Sequence, residues 1–180
     1  MYTTHLKQLT LLSVLLCASY HSNSTQLAVG FGGGPQFGTD DSNLASFFDV
    51  TFFNYSRSEH QMLSLGTSVT HATTNSDQGP STFTAISIFP ELKLFSTLWG
   101  KDVFFQVRAL GPSYLSHHSF GSREQAMRFA FQAQVGGGIY LDPAQKYELR
   151  LQYRHFSNAN LKQPNDGIDF PLMVSLGYRF

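Results

Sequence analysis

A histidine and a serine stand two positions apart near the C-terminal end of this 180-residue chain, as His155-Phe156-Ser157. An imidazole can take the proton of an alcohol while the alcohol oxygen attacks a carbonyl carbon, so the pair has the chemistry of nucleophilic acyl transfer. Spacing matters as much as residue type. In a β-strand, residues two apart point to one face with their Cα atoms about 6–7 Å apart, near enough for the side chains to lean together. The triplet alone is of low specificity. It also fits an interfacial histidine and serine bonded to water or lipid headgroups.

The residues around the triplet decide which element carries it. Tyr147, Leu149, Leu151 and Tyr153 alternate with Lys146, Glu148, Arg150, Gln152 and Arg154, a period of two that predicts a strand running into His155. The same period recurs from Leu27 to the last residue, and no segment shows a sustained helical stripe. Eight candidate strands begin near Leu27, Ala45, Gln61, Thr82, Asp102, Ala126, Lys146 and Phe170. The composition is 42% apolar and 13% charged, with 12 basic residues balancing 12 acidic ones. These values exclude a disordered chain, a coiled coil and a polybasic nucleic-acid binder. With a single cysteine, Cys17, no disulfide framework can form within the chain.

Three features place the strands in a membrane. The N-terminus carries Lys7 and then an apolar run from Leu9 to Ala18, too short to span a bilayer as a helix. It reads as a secretory signal peptide over residues 1–19, leaving 20–180 as one domain. The polar faces of the strands carry charges and amides, among them Glu91, Lys93, Gln106, Arg108, Gln132 and Gln134, as the interior of a small barrel would. Connections alternate in length: Ser56 to His60, Thr97 to Lys101 and Leu141 to Gln145 are short. Pro35 to Asn43, Thr73 to Ser81, Leu115 to Gln125 and Ser157 to Asp169 are long. Short turns inside and long loops outside, with an aromatic C-terminal segment Leu176 to Phe180, are features of outer-membrane barrels. The expected fold is therefore all-β, an eight-stranded antiparallel transmembrane β-barrel. Its register puts His155 and Ser157 on the lipid-facing side, at the extracellular end of the seventh strand.

The segment RHFSNANLKQPNDGID, Arg154 to Asp169, closely resembles the C-terminal motif of the outer-membrane lipid A 3-O-deacylases, the PagL-type family of eight-stranded barrels. The resemblance implies a serine esterase of the Gram-negative outer membrane that removes the 3-position acyl chain of lipid A, the lipid anchor of lipopolysaccharide. It implies His155 as general base, Ser157 as nucleophile and Asp169 as the acid that orients the imidazole, with no cofactor and no metal. Two positions depart from the motif. Asp169 stands where the family usually has glutamate, and Asn160 where it commonly has glycine, which tolerates a positive φ more readily. Simple alternation in the last strand would point Asp169 inward, so a bulge or bend near Pro171 is required; Asp166 is the reserve acid. Asn158 and Asn165 are candidate oxyanion donors, and both also suit ordinary turn chemistry.

The expected partners are lipid A substrate and outer-membrane lipid, with a homodimer left open and no nucleic acid. Two other functions fit the same chain: a non-catalytic surface barrel, adhesin or structural, and an esterase of glycerolipids. His117 and His118 read as exposed loop residues, and Lys162 as an exposed lysine near enough to meet a lipid phosphate. Gly32-Gly33-Gly34-Pro35 reads as a turn before the first long loop, and Gly136-Gly137-Gly138 as a bend or a site of close strand packing.

Overall fold

Alternation on this scale can satisfy its backbone only by closing on itself. The computed structural model describes residues 24–180; the leader expected over 1–19, Cys17 and the start of the domain at residue 20 lie outside the described residues. The strands are β1 (Gln26–Pro35), β2 (Ser42–Ser58), β3 (Gln61–Thr74), β4 (Thr82–Leu98), β5 (Lys101–Leu115), β6 (Ser119–Phe120), β7 (Arg123–Glu124), β8 (Phe129–Tyr140), β9 (Tyr147–Ser157) and β10 (Ile168–Arg179). Eight of them form a closed antiparallel barrel in the order β1-β10-β9-β8-β5-β4-β3-β2, while β6 and β7 make a small separate hairpin. Closure falls on β1: Val29 lies opposite Phe48 of β2 on one side and Leu176 of β10 on the other. No barrel strand is left with an open edge, which a hydrocarbon surrounding would penalise by several kcal/mol per unpaired group.

The outward face is apolar. Phe31, Phe48, Val69, Ile86, Leu151 and Leu176 are among its exposed residues, a wall too large and too apolar for water and suited to lipid. Aromatic side chains ring its short-turn end, where Tyr147, Tyr178 and Phe180 contact one another in series at 5.0 and 4.9 Å between ring centroids, with Trp99 standing clear at a turn. Such rings suit the boundary between headgroups and acyl chains.

The inward face divides into two layers. Toward the short turns it is ionic, with Glu91, Lys93, Gln106, Arg108 and Gln134 buried there, and Gln132 is buried nearer the long loops, opposite Phe156. Arg108 reaches Asp49 at 2.6 Å and Glu91 at 2.7 Å, Lys93 reaches Glu148 at 2.9 Å, and Arg154 reaches Asp49 at 3.3 Å. The Arg108–Glu91 bridge joins the neighbouring strands β5 and β4, while Arg108–Asp49, Lys93–Glu148 and Arg154–Asp49 each reach across the lumen between strands three apart in the barrel and brace the cylinder. Toward the long loops the lumen is instead plugged by Phe83, Phe120, Phe156 and Phe170. Phe83 meets Phe120 edge-on at 4.8 Å and Phe156 at 5.7 Å. The polar pattern of the sequence did not reveal this plug, because the aromatic residues come from β4, β6, β9 and β10 and become neighbours only on closure.

Two local expectations change. The Gly32–Gly34 run is not a turn: β1 continues through it, pairing with β2 as far as Pro35 opposite Ser42. A Cβ at Gly33 would lie 1.9 Å from the Asn43 carbonyl oxygen, and one at Gly32 would lie 2.1 Å from that of Leu172, so the glycines are there for close backbone approach. The sixth barrel strand starts at Phe129 rather than near Ala126, because Ala126 N–H is drawn off to the Pro164 carbonyl at 2.7 Å. The run at Gly136–Gly138 serves close packing, with a Cβ at Gly138 only 2.4 Å from the Phe104 ring.

Replacing Arg108 with methionine should leave Glu91 and Asp49 short of their principal partner inside the lumen. Breaking a buried pair in this way costs about 3–5 kcal/mol, so the folded band of Arg108→Met on heat-modifiability gels should convert at a clearly lower temperature than that of the parent.

Candidate active site

Parity governs which side chains can meet on the wall. On β9, Arg154 and Phe156 point into the lumen and are fully buried, so Tyr153, His155 and Ser157 between them point outward at the long-loop rim. Each outward residue is seated by an inward neighbour, with Phe156 of the aromatic plug lying between His155 and Ser157. The two candidate reactive groups therefore share one face, as the spacing predicts.

Asp169 joins them through a bulge. β10 pairs with β9 in simple register from Tyr178 opposite Tyr147 up to Met173 opposite Gln152, and then shifts, so that Phe170 faces Arg154 and Asp169 faces His155. The additional residue lies at Pro171–Leu172, in agreement with the bend that the sequence requires. An inserted residue reverses the alternation beyond it. Below the bulge Met173 is buried in the lumen; above it Phe170 and Ile168 are buried, and Asp169 between them is turned to the outer side. The proline suits this position, since it has no N–H to contribute to the ladder. Pro171 packs beside Gly34 of β1, so the glycine run lies against the bulge.

The resulting contact is direct. His155 Nδ1 lies 2.8 Å from Asp169 Oδ1, so the shorter acid reaches the ring from the position directly across the strand pair. Tyr153 donates its hydroxyl hydrogen to the same Oδ1, and its oxygen is 3.3 Å from His155 Nδ1. Gln36, from the first long loop, donates to Asp169 Oδ2 at 2.7 Å and accepts the Asp169 N–H at 3.0 Å. Both hydrogen bonds of the imidazole are made at Nδ1, which leaves Nε2 to accept a proton. Gly167 covers the ring: a Cβ there would come within 2.4 Å of His155 Cε1.

The loop after Ser157 is held by asparagines. Asn158 is buried, and its N–H donates to Asn165 Oδ1 at 2.7 Å and to Gln125 Oε1 at 3.2 Å. Its side-chain Nδ2 donates to the Lys162 carbonyl at 2.8 Å and the Pro164 carbonyl at 3.2 Å. Asn165 Nδ2 donates to Asn160 Oδ1 at 3.0 Å. Asn160 has a φ of 60°, the left-handed conformation that the replaced glycine of the motif would suit. Asp166 is occupied elsewhere, accepting the Glu124 N–H at 3.0 Å, so the carboxylate that meets His155 is Asp169.

Several of these residues carry no local signal in the sequence. Gln36 and Asn43 lie more than a hundred positions from Asp169. Arg123, in the β6–β7 hairpin, donates to the carbonyls of Gly167 at 3.0 Å and Phe37 at 2.9 Å and ties three loops together. In the same region Ser122 donates to Asp41 and holds that carboxyl below the usual carboxylate range. Tyr153 was legible in principle, since parity puts it on the face of His155. His117, His118 and Lys162 are exposed in the loops. Among the described residues no three His, Cys, Asp or Glu side chains gather to hold a metal ion.

Solved structures share this architecture. The crystal structure of the outer membrane enzyme PagL superposes with a TM-score of 0.64 at 16% identity, over 85% of this chain and 98% of that one. Neisserial surface protein A gives 0.51 at 12% identity, over 87% and 96%. The protein is thus of the class of eight-stranded barrels built like those of bacterial outer membranes. Sequence narrows the class: the family model for lipid A 3-O-deacylase (PagL) matches residues 44–179. The chain belongs to that family. A curated relative, lipid A deacylase PagL of Bordetella bronchiseptica, is 34% identical over 82 residues, a stretch that covers 46% of this chain and 43% of the relative.

The Gly167 contact can be tested without a substrate. Gly167→Ala should leave a heat-modifiable barrel but push the imidazole off Asp169, and the His155 ring resonances in an NMR spectrum should move while those of His117 and His118 stay.

Proposed function

We propose that the protein hydrolyses the 3-position acyl ester of lipid A from within the outer membrane, with Ser157 as nucleophile, His155 as general base and Asp169 as the group that orients the ring. The observation that carries the reading is the outward position of the His155–Asp169 pair, on the same face as Ser157 and at the rim of an apolar wall. A soluble ester would have no reason to approach from that side. A membrane glycolipid is already there: its acyl chains lie along the wall, and its sugar-linked esters sit at the height of the headgroup boundary.

The steps follow from the groups present. Ser157 Oγ attacks the acyl carbonyl carbon as His155 Nε2 takes its proton, and Asp169 holds Nδ1–H and stabilises the imidazolium that forms. Collapse of the tetrahedral intermediate breaks the bond to the sugar oxygen, which takes the proton from Nε2. Water then attacks the acyl-serine by the same route, releasing the fatty acid and restoring Ser157. Asn158 and Asn165 serve the oxyanion through the loop they order. Their own donors are spent on Lys162, Pro164 and Asn160, so the stabilising N–H groups would come from the backbone that this pair holds in place.

Ser157→Ala and His155→Ala should each fold to a heat-modifiable barrel and lose at least about 10³-fold in fatty-acid release from lipid A, as removal of a nucleophile or its base does in other serine hydrolases. Mass spectrometry of lipid A from cells making either variant should show the 3-position chain retained. Undiminished deacylation by both would remove the assigned roles, whereas no fatty-acid release from lipid A by the purified parent protein would favour a non-catalytic surface barrel. Offering phospholipid alongside lipid A separates the lipid A reading from a glycerolipid esterase.

A further inference from the structure

An aspartate that must orient a histidine at a membrane rim has a difficulty. Its side chain turns about two bonds, and water and headgroups lie on one side of it to compete for its oxygens. Yet Asp169 is only 4% exposed, and each of its oxygens has a protein donor in addition to the imidazole. Gln36 takes Oδ2 and Tyr153 takes Oδ1.

The orientation of the Gln36 amide is itself determined. Its Oε1 accepts from Asn43 Nδ2 at 2.7 Å and from the Asp169 N–H at 3.0 Å. With the oxygen held by two donors, Nε2 must face Oδ2, and a flipped amide would set oxygen against oxygen. Asn43 completes the arrangement by donating to the Asp169 carbonyl at 3.1 Å. Gln36 thus grips backbone and carboxylate of one residue together, a two-point hold that fixes the direction in which Oδ1 lies.

Tyr153 acts on the other oxygen. Its ring lies alongside the imidazole, with centroids 6.2 Å apart and planes 23° from parallel, and against Phe37 of the first loop at 6.4 Å. The hydroxyl reaches the junction of His155 and Asp169 from β9 itself. With its hydrogen given to Oδ1, the hydroxyl oxygen can only accept toward Nδ1, as the carboxylate does, so both neighbours of Nδ1 favour the tautomer that carries the proton there and leaves Nε2 bare.

We propose that Tyr153 and Gln36 are positioning residues of the hydrolysis, each holding one oxygen of Asp169 so that His155 keeps Nε2 free and aimed for the proton of Ser157. This rests on the reading that His155, Ser157 and Asp169 act together. Neither residue touches the ester, so their influence must pass through the carboxylate.

That requirement supplies the test. The full-length protein in detergent micelles with purified lipid A would be assayed for fatty-acid release as the parent, Tyr153→Phe, Gln36→Ala, Asp169→Asn and the double variants Tyr153→Phe/Asp169→Asn and Gln36→Ala/Asp169→Asn. Heat-modifiability would confirm folding. Each single positioning variant should lose about tenfold in kcat with KM unchanged, the size of one hydrogen bond to a charged group. In the Asp169→Asn background the same replacements should change kcat less than about twofold, because groups that act as a unit are not additive. Unaltered kcat in both single variants, or an equal tenfold loss with and without Asp169, would overturn the proposal. Wild-type activity of Asp169→Asn would instead overturn the reading on which it rests. Tyr153→Phe keeps the ring and its packing, so it remains informative if Gln36→Ala, which empties a buried position, fails to fold.

Discussion

One inserted residue in β10 decides whether Asp169 can meet His155. In a wall with a period of two, a side chain's face is set by counting, and a strict count from Leu176 and Val174 would put Asp169 in the lumen. The bulge at Pro171–Leu172 reverses the count above it, so that Asp169 emerges opposite His155 while Phe170 turns inward to join the aromatic plug. The same irregularity thus creates the polar contact outside and completes the apolar packing inside. The glycines of β1 yield to it on the flank where a side chain would collide with the Leu172 carbonyl.

The rest of the molecule keeps that small geometry rigid. Inward, Arg108 and Arg154 meet Asp49 and Lys93 meets Glu148 across the lumen, and these bridges resist flattening of the cylinder. Nearer the rim, aromatic rings replace the charges, and they lie directly beneath the outward groups that need support. A loop site on a soluble scaffold depends on its own loop for order. Here His155, Ser157 and Asp169 sit on paired strands, and three loops are drawn together around them by Arg123, Gln125 and Gln36. In the function proposed, the apolar wall gives the arrangement its access, since a substrate dissolved in the membrane would arrive from the side rather than from above.

Much of this was legible in the residues themselves. Alternation along Tyr147 to Tyr153 continues directly into His155 and Ser157, so the shared outward face could be read by counting, and the alternation of short and long connections ordered the strands. The need for a bulge was legible too, because Asp169 and Leu172 cannot both face outward in an unbroken period of two. The extent of the first strand was not, since a run of three glycines looks like a turn whenever the neighbouring backbones that require it are unknown. Nor was the division of the lumen into ionic and aromatic layers, which depends on four separate segments coming to one height.

What the sequence determined by itself was the wall: its period, its strand number, its polar and apolar sides, and the face on which imidazole and hydroxyl stand. These are local properties, set by the geometry of successive residues along one chain. Only the tertiary structure decided how Asp169 is held, because Gln36 and Asn43 reach it from more than a hundred residues away, and a hydrogen bond between distant segments has no periodicity to betray it. Closure of the barrel brings β1 beside β10, and that single adjacency places the first loop over the carboxylate.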